Sequence, residues 1–306
     1  MKGLRFLLSR AIQGLIVMFG VSLLVFFALF LTGDPAVLMM APDSTAQEIA
    51  EFREAMGFND PIIVQYGRFL AGALHGDLGN SLRYSRPAMD LLTERLGATA
   101  LLALSALLWS SLLGFLLGAI AAVRRNSPID FAIRVISLLG QAVPVFWLAL
   151  MLIILFSLNL RWLPSSGYGS FEHLIMPSLA LGAYYLSAIT RLVRSSLIET
   201  LGENYIRTAR AKGLTEWRIV VRHALRNAMI PVVTLQGMYL ASLMGGALVT
   251  EIIFAWPGIG RLAVEAIQNR DFPVVQAVVL FAALVFVVAN FLVDVAYTWL
   301  NPRIRL

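Results

Sequence analysis

The chain has 306 residues, of which 59% are hydrophobic and only 14% charged, with a formal net charge of +6 and no cysteine. Soluble domains carry about 25% charged residues, so this sequence has too little charge to cover a water-exposed surface and reads as an integral membrane protein. The absence of cysteine excludes disulfides, thiolate metal sites and a cysteine nucleophile. The widely spaced His75, His173 and His223, and the lack of HExxH and GxxxxGK[ST], leave no metal centre and no ATP-binding P-loop to expect in this chain.

A helix needs about 20 apolar residues to cross roughly 30 Å of hydrocarbon. Six segments meet that length: 11–32, 98–123, 135–160, 174–190, 227–250 and 272–293. The first is too long for a signal-peptide core of about 7–15 residues, and no small-x-small cleavage site follows it, so it is read as an uncleaved span. Gly114 and Gly118 form a GxxxG in the second span, which allows close helix approach. Pro144 is expected to kink the third. Arg191 and Arg194 extend the short fourth span while their heads snorkel to water. The fifth ends beside Glu251, where water can reach it, and Asp294 is the one ionisable residue inside a span.

With the amino terminus inside, 16 of the 24 basic residues fall on the inner side and 13 of the 18 acids fall outside. The inner excess of Lys and Arg places both termini in the cytoplasm. Membrane topology thereby accounts for the basic balance, and nucleic acid is not an expected partner.

Between the spans, residues 33–97 form the largest outside segment. Ser44 and Gln47 fit a capping box ahead of Ile49, Phe52 and Met56. Pro61 opens an amphipathic stretch through Ile62, Tyr66, Phe69, Leu70 and Ala73. Pro87 suits the first turn of a third helix running to Leu96. A small helical cap on the outer face is expected. Residues 191–226 form the large cytoplasmic loop. In it, Gly202 and Gly213 bracket a helix-forming unit with Glu203 near its dipole-favoured start and Lys212 near its end. A second helical stretch, 218–227, leads into the fifth span. In the outside loop 251–271, Trp256 suits an interfacial position and Pro257-Gly258 forces a turn.

The loop Tyr205-Ile-Arg-Thr-Ala-Arg-Ala-Lys-Gly213, followed by 222–231 (RHALRNAMIP), resembles the coupling-loop signature of binding-protein-dependent ABC importer permeases, in their dipeptide/oligopeptide/glutathione/nickel branch. Gly33-Asp34-Pro35, His75-Gly-Asp-Leu-Gly79, Trp162-Leu-Pro164, Met176-Pro177, Trp256-Pro-Gly-Ile-Gly-Arg261, Arg270-Asp271 and the ending Asn301-Pro-Arg-Ile-Arg305 fit the same branch, in order, over nearly the whole chain. The general signature has Glu-Ala-Ala where this chain has Arg207-Thr208-Ala209, and the 213–231 stretch is longer than the general pattern, as in this branch's own variant.

The resemblance implies an all-α, six-span permease of the type I ABC importer kind, in a bacterial or archaeal cytoplasmic membrane. Its parts would be residues 1–32 with the first span, a periplasmic cap at 33–97, and a core at 98–306. A second, related permease subunit, two ATPase subunits holding the ATP and Mg, and an extracytoplasmic binding protein are the implied partners. The chain itself would be no enzyme. The helix made of Glu203, Asn204, Tyr205, Ile206, Arg207, Thr208, Ala209, Arg210, Ala211 and Lys212, with Gly213 and Leu214, would dock on an ATPase. Arg207, Arg210 and Lys212 could offer it charge-assisted bonds, and Tyr205, Ala209 and Leu214 apolar contact. Tyr184, Tyr185, Ser187, Gln236, Tyr239 and Asn290 are polar or amphipathic residues within spans and candidates to line the pathway, or to bond neighbouring helices. Trp256, Pro257, Gly258 and Arg261 are candidates for an outer gate or for contact with the binding protein, as is the 33–97 cap. Cargo stays open among dipeptides, oligopeptides, glutathione, nickel chelates and opine-like compounds. The competing reading is a secondary transporter, for which Asp294 alone supplies a buried ionisable group.

Overall fold

The computed structural model describes residues 2–31, 33–40, 43–245 and 247–300. Thr32 and the Asn301–Arg305 ending lie outside the described residues, as does the side chain of Asp294, so nothing in the fold bears on a proton site there. The architecture is helical, with one isolated bridge between Asn80 and Pro87.

Helix α1 (Lys2–Leu31) is followed by three short helices, α2 (Pro35–Met39), α3 (Ala46–Ala55) and α4 (Ile62–Leu74). Thus the expected cap is helical. The capping box sits one residue later than the sequence suggested: Thr45 Oγ1 accepts from Glu48 N at 3.3 Å, and Glu48 Oε2 accepts from Thr45 N at 2.7 Å. Ser44–Gln47 and Thr45–Glu48 both fit the pattern, and the charged carboxylate is the stronger acceptor at a helix start. Helix α4 packs on α1 through Phe26, Tyr66 and Phe69, and the Tyr66 hydroxyl meets Ser22 Oγ at 2.8 Å.

The third cap helix does not stop at Leu96. From Ala88 it runs unbroken into the second span as the 36-residue α5 (Ala88–Val123). Residues 88–123 contain no proline, and the helix is buried against successive apolar clusters, through Leu92, then Ala98 and Leu102, then Ala122. At 1.5 Å per residue it is roughly 54 Å long.

Helices α6 (Pro128–Ala142) and α7 (Val145–Leu152), the latter continued by a π-helical turn at Ile153–Asn159, form the third hydrophobic segment. The expected kink is a break: the two halves meet at 100°. Pro144 lacks the N–H that would continue the ladder, and Val143 before it is held extended. Helix α8 (Phe171–Leu201) contains Pro177 and continues well past Arg194. After it come α9 (Asn204–Ala211), α10 (Glu216–Arg218), a π-helical Ile219–Ala224, and α11 (Leu225–Met244). The fifth segment ends near Gly245, short of the expected Thr250. Residues Leu248–Ile253 form a separate α12, then α13 (Ile259–Gln268) and α14 (Phe272–Leu300) complete the chain.

Among the described residues three helices are long and apolar enough to cross a membrane, or up to five if each bent pair counts as one span. Helix α8 is long enough at 31 residues, but Glu172, His173, Arg191, Arg194 and Glu199 dilute its hydropathy. It is nonetheless the centre of the bundle. A Cβ at Gly114 would lie 3.0 Å from Ile189, and one at Gly118 only 2.6 Å from the Thr190 carbonyl, so the GxxxG brings α5 against α8 backbone to backbone. From the other side, Gly182 of α8 receives Trp109 of α5, whose indole Nε1 donates to the Ser178 carbonyl at 3.0 Å.

Candidate functional site

Three places carry the residues that the sequence singled out. Between α8 and α11, α9 is closed at its end by Gly213. Leu214 N donates to Ala209 O at 3.3 Å and Gly213 N to Arg210 O at 2.9 Å, with Gly213 at φ +78°. This is a Schellman stop, which asks for a left-handed residue that glycine supplies without strain. Ile206 and Ala209 are buried with Leu197, Ile219, Val220 and Ala224, and Leu214 packs on the same cluster. Tyr205 is held by Asn227 Nδ2, which donates to its hydroxyl at 2.9 Å.

These contacts revise the expected surface. Ala209 and Leu214 are used inside the chain, not offered outward. Arg210 is also engaged: its Nε and Nη2 donate to the two Glu216 oxygens at 2.7 and 3.2 Å. That pairing raises the Arg210 pKa further above its ordinary value and ties α10 to α9. Arg207 and Lys212 remain exposed and make no ion pair among the described residues. Trp217, which the sequence alone gave no role, is 76% exposed on α10, the next helix; a tryptophan in a basic loop was the available signal.

Arg194 does not simply snorkel. Its Nε and Nη2 donate to Asp130 at 2.6 and 2.9 Å, and Asn126 N donates to the same carboxylate at 3.0 Å. The start of α6 is thereby fastened to α8 about two turns before that helix ends.

The second place is the outer loop. Glu251 is fully buried, contrary to its expected exposure. Thr99 Oγ1 donates to Oε1 at 3.0 Å and Arg261 N donates to Oε2 at 2.9 Å, while Ala247 N lies 3.4 Å from Oε1. The Trp-Pro-Gly-Ile-Gly run wraps this carboxyl. A Cβ at Gly258 would stand 2.3 Å from it, and one at Gly260 2.9 Å. Ile259 N donates to Thr99 Oγ1 at 2.8 Å, which completes a link between α5, α12 and α13. Trp256 is 1% exposed rather than interfacial; its Nε1 donates to Ala98 O at 2.9 Å and its ring meets Tyr168 edge-on at 4.8 Å. Gly258 is buried as well, and Pro257 and Arg261 are half-buried. Arg261 Nε donates to Glu265 and its Nη1 to Ala255 O.

The third place is the set of polar span residues, which divide. Tyr184 and Tyr185 of α8 and Tyr239 of α11 cluster, with the Tyr185 and Tyr239 centroids 4.7 Å apart. Tyr184 is 39% exposed. Gln236 is half-buried one turn earlier on α11. Ser187 faces elsewhere: it is buried where Gly140 of α6 touches α8. Asn290 lies on α14 in a small cavity shared with Arg10 and Gln13 of α1.

The two outer segments also meet. Ser81 Oγ donates to the buried Asp271, Leu82 N donates to the same side chain at 3.3 Å, and Arg83 donates to Asn269 Oδ1. Two short motifs noted separately in the sequence, His75-Gly-Asp-Leu-Gly79 and Arg270-Asp271, therefore flank one junction.

Residues 114–306 match the family described as binding-protein-dependent transport system inner membrane component, and residues 3–103 match its N-terminal region. The chain belongs to that family. Among curated relatives of this permease, the glutathione transport system permease protein GsiC of Salmonella paratyphi A is 42% identical over 303 residues, covering 99% of each chain. GsiC of Escherichia coli K12 is 41% identical over the same extent. A chain of the solved inward-facing MetNI methionine ABC transporter shares the permease's fold, with a TM-score of 0.59 at 20% identity over 69% of this chain and 97% of that chain. The permease is thus a multi-pass inner-membrane component of an ABC importer.

Proposed function

We propose that this permease pairs with a second, related permease, and that the two import glutathione-like or other short peptides. An extracytoplasmic binding protein delivers the cargo, and two separate ATPase subunits drive the cycle. Both termini lie in the cytoplasm and all six apolar segments cross the bilayer, α8 included. The residues carrying ATPase coupling are those of α9, with Arg207 and Lys212 as its outward charges. The tyrosine cluster with Gln236 lines the path, while Ser187 and Asn290 donate to Ala183 O and Phe286 O of their own helices at 2.9 and 2.8 Å and stay out of it.

The observation that carries this reading is the construction of α9. It is short, stopped sharply at Gly213, and its apolar side is locked onto the ends of α8 and α11. A rigid body joined to two long helices transmits a push, whereas a loose loop would absorb it. The peptide assignment draws its support from the full-length likeness to glutathione permeases.

The test is a mild-detergent pull-down of the tagged chain from its native membrane, with mass spectrometry of the retained proteins. A second permease, two P-loop ATPases and a binding protein are expected, and native mass spectrometry of the binding protein then names the cargo. Recovery of a stable chain without any ATPase would remove the coupling role of α9. A chelated metal or an opine-like ligand on the binding protein would replace the peptide assignment alone.

A further inference from the structure

On the orientation proposed above, the outward arginines split into two groups. Arg53, Arg68, Arg86 and Arg261 each pair with a carboxylate of their own chain: Asp34, Asp60, Glu94 and Glu265. Arg83 and Arg270 have no carboxylate partner among the described residues. Arg83 donates to the neutral Asn269 and lies 5.8 Å from the Tyr84 ring centroid. Arg270 is exposed, and its backbone is held at φ +54°. Arg95 and Arg161 also show no ion pair among the described residues, but they do not line the place that Arg83 and Arg270 share.

That place is an open cavity of about 370 Å³. Leu38, Met40 and Leu82 form apolar walls, and Arg83 and Arg270 are among its lining residues. Three separate stretches build it, from α2, from the loop after His75, and from the end of α13. The acid nearest in sequence does not neutralise it: Asp271 is 2% exposed and its carboxylate is taken up by Ser81 Oγ and Leu82 N. That same inward clamp joins the two outer segments and fixes the spacing of the arginines.

We propose that this cavity is the socket in which a carboxylate-bearing knob on the binding protein docks. Two guanidinium forks match carboxylate oxygens in geometry as well as charge. Their placement at the junction means that one occupant touches the cap and the 251–271 segment at once. The socket brings two unpaired arginines together on an outer face otherwise rich in acids, a point of attraction for an acidic partner. The inference rests on the importer reading and on its orientation.

Two measurements test it, one on the full chain in cells and one on the complete complex with and without added binding protein. Arg270→Cys introduces the chain's one thiol, so a membrane-impermeant maleimide reports its side without background. Labelling on intact cells with the outer membrane permeabilised is expected; labelling only after inner-membrane lysis overturns the orientation, and the socket with it. In proteoliposomes, Arg83→Glu/Arg270→Glu should raise the binding-protein concentration for half-maximal ATPase stimulation about tenfold at low salt, with ATPase activity in the absence of binding protein unchanged. The lysine double variant should stay close to the parent. The parent's half-maximal concentration should climb with ionic strength and the glutamate variant's should not. Outward labelling together with an unaltered titration in the glutamate variant would overturn the socket while leaving the importer reading intact.

Discussion

The inner and outer ends of this permease are held together in opposite ways. At the inner end, α9 is fixed by apolar burial of Ile206 and Ala209, and its charges are left on the surface. At the outer end, the α12–α13 turn is fixed by a buried carboxyl with its hydrogen bonds satisfied, and little polar capacity is left to offer. A surface meant for a partner keeps donors free. An anchor spends them internally, because an unsatisfied buried group costs about 1–3 kcal/mol. Stability and transport should therefore respond separately at the two ends.

The largest effect on stability is expected at Glu251. Glu251→Ala strips the acceptor from Thr99 Oγ1 and Arg261 N and leaves a hole beneath Gly258; a loss of about 3 kcal/mol is expected, read as a fall of several degrees in melting temperature in detergent. Glu251→Gln keeps the shape and one carbonyl acceptor, so its loss should be smaller. Equal melting of all three proteins would erase the contrast between the ends.

Gly213→Pro attacks the inner end. It removes the N–H bonded to Arg210 O and forbids the +78° φ, so the Schellman stop is lost. Uptake should drop to background while membrane insertion, followed by fractionation, is unchanged. Gly213→Ala, with about 1–2 kcal/mol of left-handed strain, should fall between. Full uptake in the proline variant would sink the coupling role.

Arg207→Glu with Lys212→Glu sharpens the comparison further, since neither residue supports the fold. Transport should be lost with no change in melting. The smallest effect belongs to Arg210. Its fork to Glu216 is exposed, and such pairs contribute about 0.2–1 kcal/mol. Arg210→Glu should impair uptake, and adding Glu216→Arg should restore it. Failure of the swap would mean that Arg210 acts on the partner rather than on Glu216.

Much of the architecture was legible in the sequence, because hydropathy and proline act locally. The apolar segments, the break at Pro144 and the glycine stop of α9 each follow from neighbours a few residues away. Element ends slipped by local margins, as at the Thr45 cap and at Gly245, and the misreadings at the candidate site are long-range. A glutamate at the end of an apolar run looks solvated until Thr99, 152 residues distant, is placed beside it. Asp271 looks like an outer-loop acid until Ser81, 190 residues away, closes on it. Arg194 looked free for the same reason, because its partner Asp130 lies 64 residues back. The split among the polar span residues was equally hidden: one helix, α8, presents Tyr184 and Ser187 to different neighbours, and no pattern within it says which neighbour is which.

Helix α5 makes the two ends mechanically accountable to each other. It starts at Ala88, whose N–H is bonded to Gly79 O beside the Ser81–Asp271 junction, carries Thr99 into the Glu251 anchor, and ends at Val123 before the 124–127 turn. With no proline along its length it has no ready hinge, so a rigid tilt of this helix would carry a displacement from one end to the other. A tilt of about 5° over roughly 54 Å displaces the far end by about 5 Å. That is on the order of one helical pitch, enough to change which side chains face each other at the opposite membrane surface.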